Sequence, residues 1–301
     1  LSTAVSADRD SEPAANAVDR QEKPAASGRG ILGKAALYAV LLLGSAIMLL
    51  PLIWMVSTAS KPIEETIIPE FRLIPGEFLL PENLVKAFQR VPMILYFRNS
   101  VIVTAAVTAG RVLLCALAGY SFAKFTYRGR DLLFALVLST MMIPFYVVVI
   151  PLYIVVYQLG WLNNLIALIV PGLVTAFGVF LLRQFMMGVP SELIDAARID
   201  GASEPRTFLT IVLPLTKPAL VTLAIFTFMS TWDDYVWPLL VITRQDLLTV
   251  PLGLAAFTQE YITYYNELMA AALIGMAPTF LVFLIFQREF VEGVSLSGIK
   301  G

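Results

Sequence analysis

Six stretches of this chain are each about as long as a bilayer is thick, and almost wholly apolar. They run over roughly 35–58, 98–122, 131–155, 162–186, 215–242 and 269–290. A helix of about 20 apolar residues crosses the hydrocarbon core. Backbone in lipid has to satisfy its own N–H and C=O groups, which leaves helix bundles and closed barrels. Uninterrupted runs of this length choose the helix. The expected fold class is therefore an all-α integral membrane protein with six transmembrane helices. Composition agrees: 58% of the 301 residues are hydrophobic and 14% charged, where a soluble domain carries about 25% charged. Pro51, Pro144, Pro151, Pro171, Pro238 and Pro278 fall inside these runs and are expected to kink the helices without breaking them, since neighbouring helices can satisfy the freed groups. Asn99-Ser100 reads as the N-cap of the second span.

Several chemistries are excluded early. There is no histidine, net charge is −1, and Cys115 is the single cysteine. No disulfide framework and no cysteine–histidine metal site can be built, and the usual general base is missing. Nothing points to nucleic acid as a partner, and no nucleophile–base pair supports an enzyme. Cys115 reads as a small buried side chain, and Met141, Met142, Met186 and Met187 as core packing. Residues 1–34 are polar, without apolar period, and read as a disordered cytoplasmic tail and not a signal peptide. Residues 35–301 form the membrane domain. "GRGILGKA" at 28–35 has phosphate-loop spacing, but Ala35 stands where a Mg²⁺-holding hydroxyl is needed and no strand precedes it. A linker with a membrane-anchoring Lys34 is the better account.

Orientation follows from basic residues in short loops. The 123–130 loop has Lys124, Arg128 and Arg130, and the segment between spans four and five has Arg183, Arg198, Arg206 and Lys217. The 156–161 loop has none and 243–268 only Arg244. The two basic loops are expected in the cytoplasm with both termini. The 59–97 loop is also basic, but its length weakens its vote.

The 192–214 segment, ELIDAARIDGASEPRTFLTIVLP, is polar between two oily spans. Pro190 and Ser191 favour a helix start, with Glu192 and Asp195 in the first turn, where the dipole favours carboxylates. Leu193, Ala196, Ala197 and Asp200 share one face. Gly201 can end the helix in a left-handed conformation. Ser203 can cap a second short helix with Pro205 in its first turn, and Phe208, Ile211, Val212 and Leu213 give that helix an apolar stripe. Such a segment either rests on lipid headgroups or docks on a protein. A lipid-bound helix shows large apolar residues and a basic polar face; this one shows alanines and carboxylates, which fit a protein cleft better.

Asp195-Ala196-Ala197, then Gly201, Ile211 and Leu213-Pro214, resembles the EAA loop of ATP-binding-cassette (ABC) importer permeases, with Asp195 where that family usually has Glu. "AGYSFAKF" (118–125) with Gly129-Arg130, "YFRNS", "WDDYVWPL" (232–239) and the tail "FQREFVEGVSLSGIKG" are similar to the sugar branch, and to the maltose-type second permease subunit. The resemblance covers most of 35–301, with its core at about 95–290. It implies the type I importer permease fold and a bacterial or archaeal inner (cytoplasmic) membrane location. It implies four companions: a second, different permease, two ATPase subunits and an extracytoplasmic sugar-binding protein. ATP and Mg²⁺ would sit on the partner ATPase, and this chain would bind no cofactor. Glu192, Asp195, Ala196, Ala197, Arg198, Asp200, Gly201 and Pro214 would couple to the ATPase. Gly293, Gly298 and Lys300 in the tail would reach the ATPase interface. The cargo would be a di- or oligosaccharide such as maltodextrin or trehalose, or a glycerol phosphate.

Asp233 and Asp234 lie in span five beside Trp232, Tyr235 and Trp237. Carboxylates in a membrane face a cavity or a partner. Two readings stay open: a substrate path with rings stacking on sugar, or a structural pair with Arg111. A different transport class, driven by an ion gradient through Asp233, Asp234 and Arg111, would show an inverted repeat; none is seen. Outer aromatics at Tyr261, Tyr264 and Tyr265 suit a surface for a soluble binding protein.

Overall fold

The computed structural model describes residues 31–67, 72–258 and 263–298. Residues 1–30, most of the expected tail and the first glycines of the phosphate-loop-like stretch, lie outside them, whereas 31–34, read as the end of that tail, already belong to the first helix. Every regular element among the described residues is helical, apart from one isolated bridge between Thr258 and Thr263. Two compact units divide between Pro51 and Leu52, inside the first helix, α1 (Ile31–Ala59). Its 29 residues rise about 43 Å, more than the hydrocarbon needs. Leu41, Leu42, Leu43 and Met48 are all exposed, as lipid-facing side chains should be.

The second unit begins with the end of α1, followed by α2 (Ile63–Ile67) and α3 (Leu80–Arg90). Asn83 of α3 is fully buried. Its amide donates to the carbonyls of Ala59 and Lys61 at 2.9 and 2.8 Å, which answers carbonyls left open where α1 ends.

Helix α4 (Met93–Lys124) starts after Pro92, well before Asn99. Asn99-Ser100 is therefore not its cap. Both side chains are buried and hold the 246–250 loop: Asn99 Nδ2 donates to the carbonyls of Asp246 and Leu248 at 2.9 and 3.0 Å. Ser100 Oγ accepts from Val250 N at 2.9 Å. The hydroxyl caps a helix, but a different one.

The third, fourth and fifth runs are broken, the fifth between Trp232 and Val236. Helix α5 (Arg130–Ser139) and a 3-10 turn at Thr140–Met142 meet α6 (Phe145–Gln158) at 104°. Pro144 breaks this run: the residue before proline avoids the helical region, and Ile143 is extended at φ −94°, ψ 114°. Helix α7 (Ile166–Ile169) and the Val170–Gly172 turn meet α8 (Ala176–Met187) at 41°. Thr175 caps α8, its hydroxyl accepting from Gly178 N at 3.1 Å. The chain continues through α9 (Ser191–Ile199), α10 (Glu204–Thr207), a π-turn at Phe208–Val212 and α11 (Leu213–Leu215). It then turns by 80° into α12 (Lys217–Trp232). After α13 (Val236–Val241) and α14 (Val250–Leu254), α15 (Tyr265–Gly298) closes the described chain, kinked at Phe286. Pro51, Pro151, Pro238 and Pro278 stay inside helices. Among the described residues three helices are long and apolar enough to cross alone, and the number reaches six if each bent pair is one crossing.

One core joins α4, α8 and α12. Cys115, Leu182, Met186, Val212 and Leu223 are buried together. Small residues let the backbones approach: a Cβ at Gly119 would lie 3.0 Å from Arg183 N, and one at Gly178 would lie 2.8 Å from Cys115 Sγ. Met186 packs as expected, but Met141, Met142 and Met187 are exposed on this chain. They sit on outward faces, two of them in the 3-10 turn that breaks the third run. A second core near the start of α4 gathers Met93, Tyr96, Trp232, Val250, Phe257 and Ala271. The Arg90 guanidinium clamps Glu267 there, with Nη2 to Oε1 at 2.9 Å, and lies over the Tyr264 ring, 3.5 Å from its centroid.

Candidate coupling and translocation sites

Helix α9 follows from its sequence. Pro190 precedes its first residue, and Glu192 lies in the first turn. Asp195, expected there too, sits one turn further in. Ile194 is the one buried side chain of α9; Asp195 and Ala196 are exposed and Ala197 half-buried. The helix ends as expected. Gly201 has φ +79°, its N–H bonds to Arg198 O at 3.0 Å, and Ala202 N–H reaches Ala197 O at 2.9 Å. That pair of bonds is the Schellman stop.

Ser203 is extended before α10, but its side chain makes no cap bond; its carbonyl accepts from Thr207 N instead. Pro205 sits in the first turn. Phe208 and Val212 are buried and Ile211 and Leu213 half-buried, so the apolar stripe forms. Pro214 lies in α11, ahead of the 80° turn.

A polar chain ties this segment to α4. The buried Tyr120 donates its hydroxyl to Glu204 Oε2 at 3.0 Å. Arg198 Nε donates to Glu204 Oε1 at 2.7 Å, and Arg198 Nη1 to Asp195 Oδ1 at 3.1 Å. The Glu204 carboxyl is held below the usual carboxylate range, chiefly by the Arg198 hydrogen bond, with Tyr120 helping against partial desolvation. Beside it Lys124 Nζ donates to Val189 O at 2.5 Å. Sequence reasoning assigned no role to Tyr120 or Glu204. They lie 84 positions apart, and no local spacing connects them.

The span-five group is placed differently. Trp232 and Trp237 are buried. Their indole N–H groups donate to Gly275 O and Ala167 O, both at 2.9 Å, and Trp232 stacks on Phe228 with 5.8 Å between centroids. Asp234 Oδ1 accepts from Trp237 N at 3.4 Å, and Asp233 faces Thr279 at 3.5 Å. Asp233 and Tyr235 are exposed. The pairing of Arg111 with these aspartates does not occur. Arg111 Nε donates to Gly172 O at 2.7 Å, answering a carbonyl freed where the fourth run bends. Gly293 and Gly298 lie in the last helix; Lys300 and Tyr261 lie outside the described residues.

Residues 112–295 match the family described as binding-protein-dependent transport system inner membrane component. The chain belongs to that family. This permease is 34% identical over 258 residues to the arabinooligosaccharides transport system permease protein AraQ of Halalkalibacterium halodurans, covering 85% of this chain and 92% of that one. It is 34% identical to the lactose transport system permease protein LacG of Rhizobium radiobacter, over 87% and 95% of the two chains. It is 35% identical to the sn-glycerol-3-phosphate transport system permease protein UgpE of Escherichia coli O6:H1, over 85% and 94%. Its fold is similar to that of a bacterial ABC transporter involved in the import of alginate, with a TM-score of 0.76 at 19% identity, over 85% of this chain and 96% of that one. The permease is thus a helical, multi-pass membrane protein of the ABC-importer class. The matched region holds α9, the Gly201 stop and the Tyr120–Glu204–Arg198 chain.

Proposed function

We propose that this permease forms half of the translocation path of an ABC importer for a sugar or glycerol phosphate, with a second permease as the other half. Two ATPase subunits would carry ATP and Mg²⁺, an outer binding protein would deliver the cargo, and both termini would lie in the cytoplasm. The observation that carries this reading is α9. It is a short helix with exposed small and acidic residues, a firm glycine stop, and one buried anchor, set between the fourth and fifth apolar runs. Asp195, Ala196 and Ala197 are the docking face, and Glu192, Arg198, Asp200, Gly201 and Pro214 shape its ends and its return into the membrane. Gly293, Gly298 and Lys300 would reach the ATPase through the tail. Asp233 and Tyr235, exposed beside α12, are the members of the span-five group free to meet cargo; Trp232, Trp237 and Asp234 brace them.

The energetics are within reach. Flipping an outward/inward equilibrium almost completely takes about 5.5 kcal/mol of differential binding, which ATP and a loaded binding protein can supply if each favours one state. An ion-gradient mechanism through Asp233, Asp234 and Arg111 has no support in the geometry, because Arg111 donates to Gly172 O and pairs with neither aspartate.

The test is to purify the permease from its native membrane with its companions and reconstitute the complex. ATP turnover should rise when the binding protein is loaded with arabino-oligosaccharide, lactose, maltodextrin or glycerol phosphate. A permease that purifies without an ATPase, and whose uptake ignores ATP, overturns the proposal.

A further inference from the structure

Helix α9 has little holding it. Ile194 is its one buried side chain, and Gly201, the residue that stops it, has open space where a Cβ would sit. A lever attached so lightly would swing about its own turn when pushed. The chain of polar contacts through Glu204 answers this problem. Both of its carboxylate oxygens are engaged, one by the last turn of α9 through Arg198 and one by α4 through Tyr120. Arg198 also reaches back to Asp195, which stiffens α9 itself. The Arg198 and Glu204 side chains are 41% and 40% exposed, so water screens that pair; the bond from the buried Tyr120 is the sheltered one.

The receiving end is rigid. The Tyr120 ring lies edge-on to Phe125 with 5.2 Å between centroids, and 5.2 Å from Phe208. Its hydroxyl therefore cannot follow α9 without moving α4. From Tyr120 the helix runs unbroken back to Asn99 and Ser100, about 32 Å away at 1.5 Å per residue. Those two residues hold the 246–250 backbone on the other side. One continuous helix thus joins the α9 contact to the 246–250 loop.

We propose that Tyr120, Glu204 and Arg198 are positioning residues that lock α9 to the cytoplasmic end of α4, so that motion of α9 is delivered to the far side of the membrane instead of being absorbed at Gly201. This rests on the coupling role of α9 given above. A mere stabilising contact would show as lost thermal stability. A relay shows as lost coupling in a stable complex.

The test uses the whole reconstituted complex and compares Tyr120→Phe with Ala197→Arg. Phenylalanine keeps the ring contacts and removes one hydrogen bond to a carboxylate, worth on the order of a tenfold effect. Tyr120→Phe is expected to assemble with an unchanged melting temperature, while cargo taken up per ATP falls about tenfold. Adding Glu204→Gln to it, which leaves the Arg198–Asp195 contact in place, should cost little more, because one relay can be cut only once. Wild-type coupling in Tyr120→Phe, with Ala197→Arg uncoupled, overturns the relay and leaves the α9 role standing. Normal coupling in both variants overturns both. A melting temperature that falls in step with coupling also overturns the relay, since the contact then acts only through stability.

Discussion

Gly201 offers a graded test of α9 because its effect is purely conformational. Its φ is +79°, and a Cβ placed there meets nothing within 4 Å. Alanine therefore meets no clash and bears only the left-handed penalty, about 1–2 kcal/mol. A penalty of 1 kcal/mol shifts the turn equilibrium roughly fivefold. Asparagine tolerates this region and should behave almost as glycine does. Proline cannot reach positive φ. It also removes the Gly201 N–H bond to Arg198 O, and the bond from Ala202 N to Ala197 O goes with the turn, at about 1 kcal/mol each. The assay is cargo moved per ATP in reconstituted vesicles, with permease content checked by blotting. Coupling should fall in the order Gly201, Gly201→Asn, Gly201→Ala, Gly201→Pro, with alanine down about fivefold and proline uncoupled. Asparagine as damaging as proline, or no difference across the series, would refute the argument.

Other outcomes follow from the same geometry. Glu267 is buried beside a partly exposed Arg90, so Arg90→Ala should destabilise the permease in detergent by about 3 kcal/mol, and Arg90→Met with Glu267→Met should recover most of that in a thermal melt. Gly119→Leu would drive a side chain into the Leu182–Arg183 backbone and should cost about 1–3 kcal/mol or more, seen as a lowered melting temperature; an unchanged melt would contradict the close approach. The Glu204 carboxyl is held below its ordinary value of 4.5. A depressed carboxylate contributes fully above its ordinary value and loses that contribution as pH falls through the lower folded one. Coupling should therefore stay flat from about pH 8 to pH 5; a Glu204-dependent loss centred at pH 6 would oppose this. Asp234→Asn keeps an acceptor for the Trp237 N–H and should leave uptake within about twofold, whereas an ion-coupled carrier would lose transport.

What could be read from sequence was local. The start of α9 after Pro190, the Gly201 stop and the apolar stripe at Phe208 and Val212 depend on spacing and on the conformational habits of single residues, and the structure keeps them; of the six apolar runs, the first, second and last form long helices and the others are broken. What could not be read was set by partners far along the chain. Asn99 and Ser100 look like a cap because of their chemistry, yet Pro92 starts the helix earlier and the 246–250 backbone claims them. Arg111 found the Gly172 carbonyl, which is free only because the fourth run bends near Pro171. Pro144 broke its run where Pro151 did not, and composition alone gives both the same reading. Tyr120 and Glu204 meet only after α4, α9 and α10 are assembled.

The central claim is that the permease moves cargo only when an ATPase drives it through α9. The direct measurement is uptake of labelled cargo into vesicles holding both permeases and a loaded binding protein, with and without the ATPase and ATP. Uptake should require both, and should vanish when Ala197→Arg blocks the docking face. Undiminished uptake in vesicles that lack the ATPase would contradict the account.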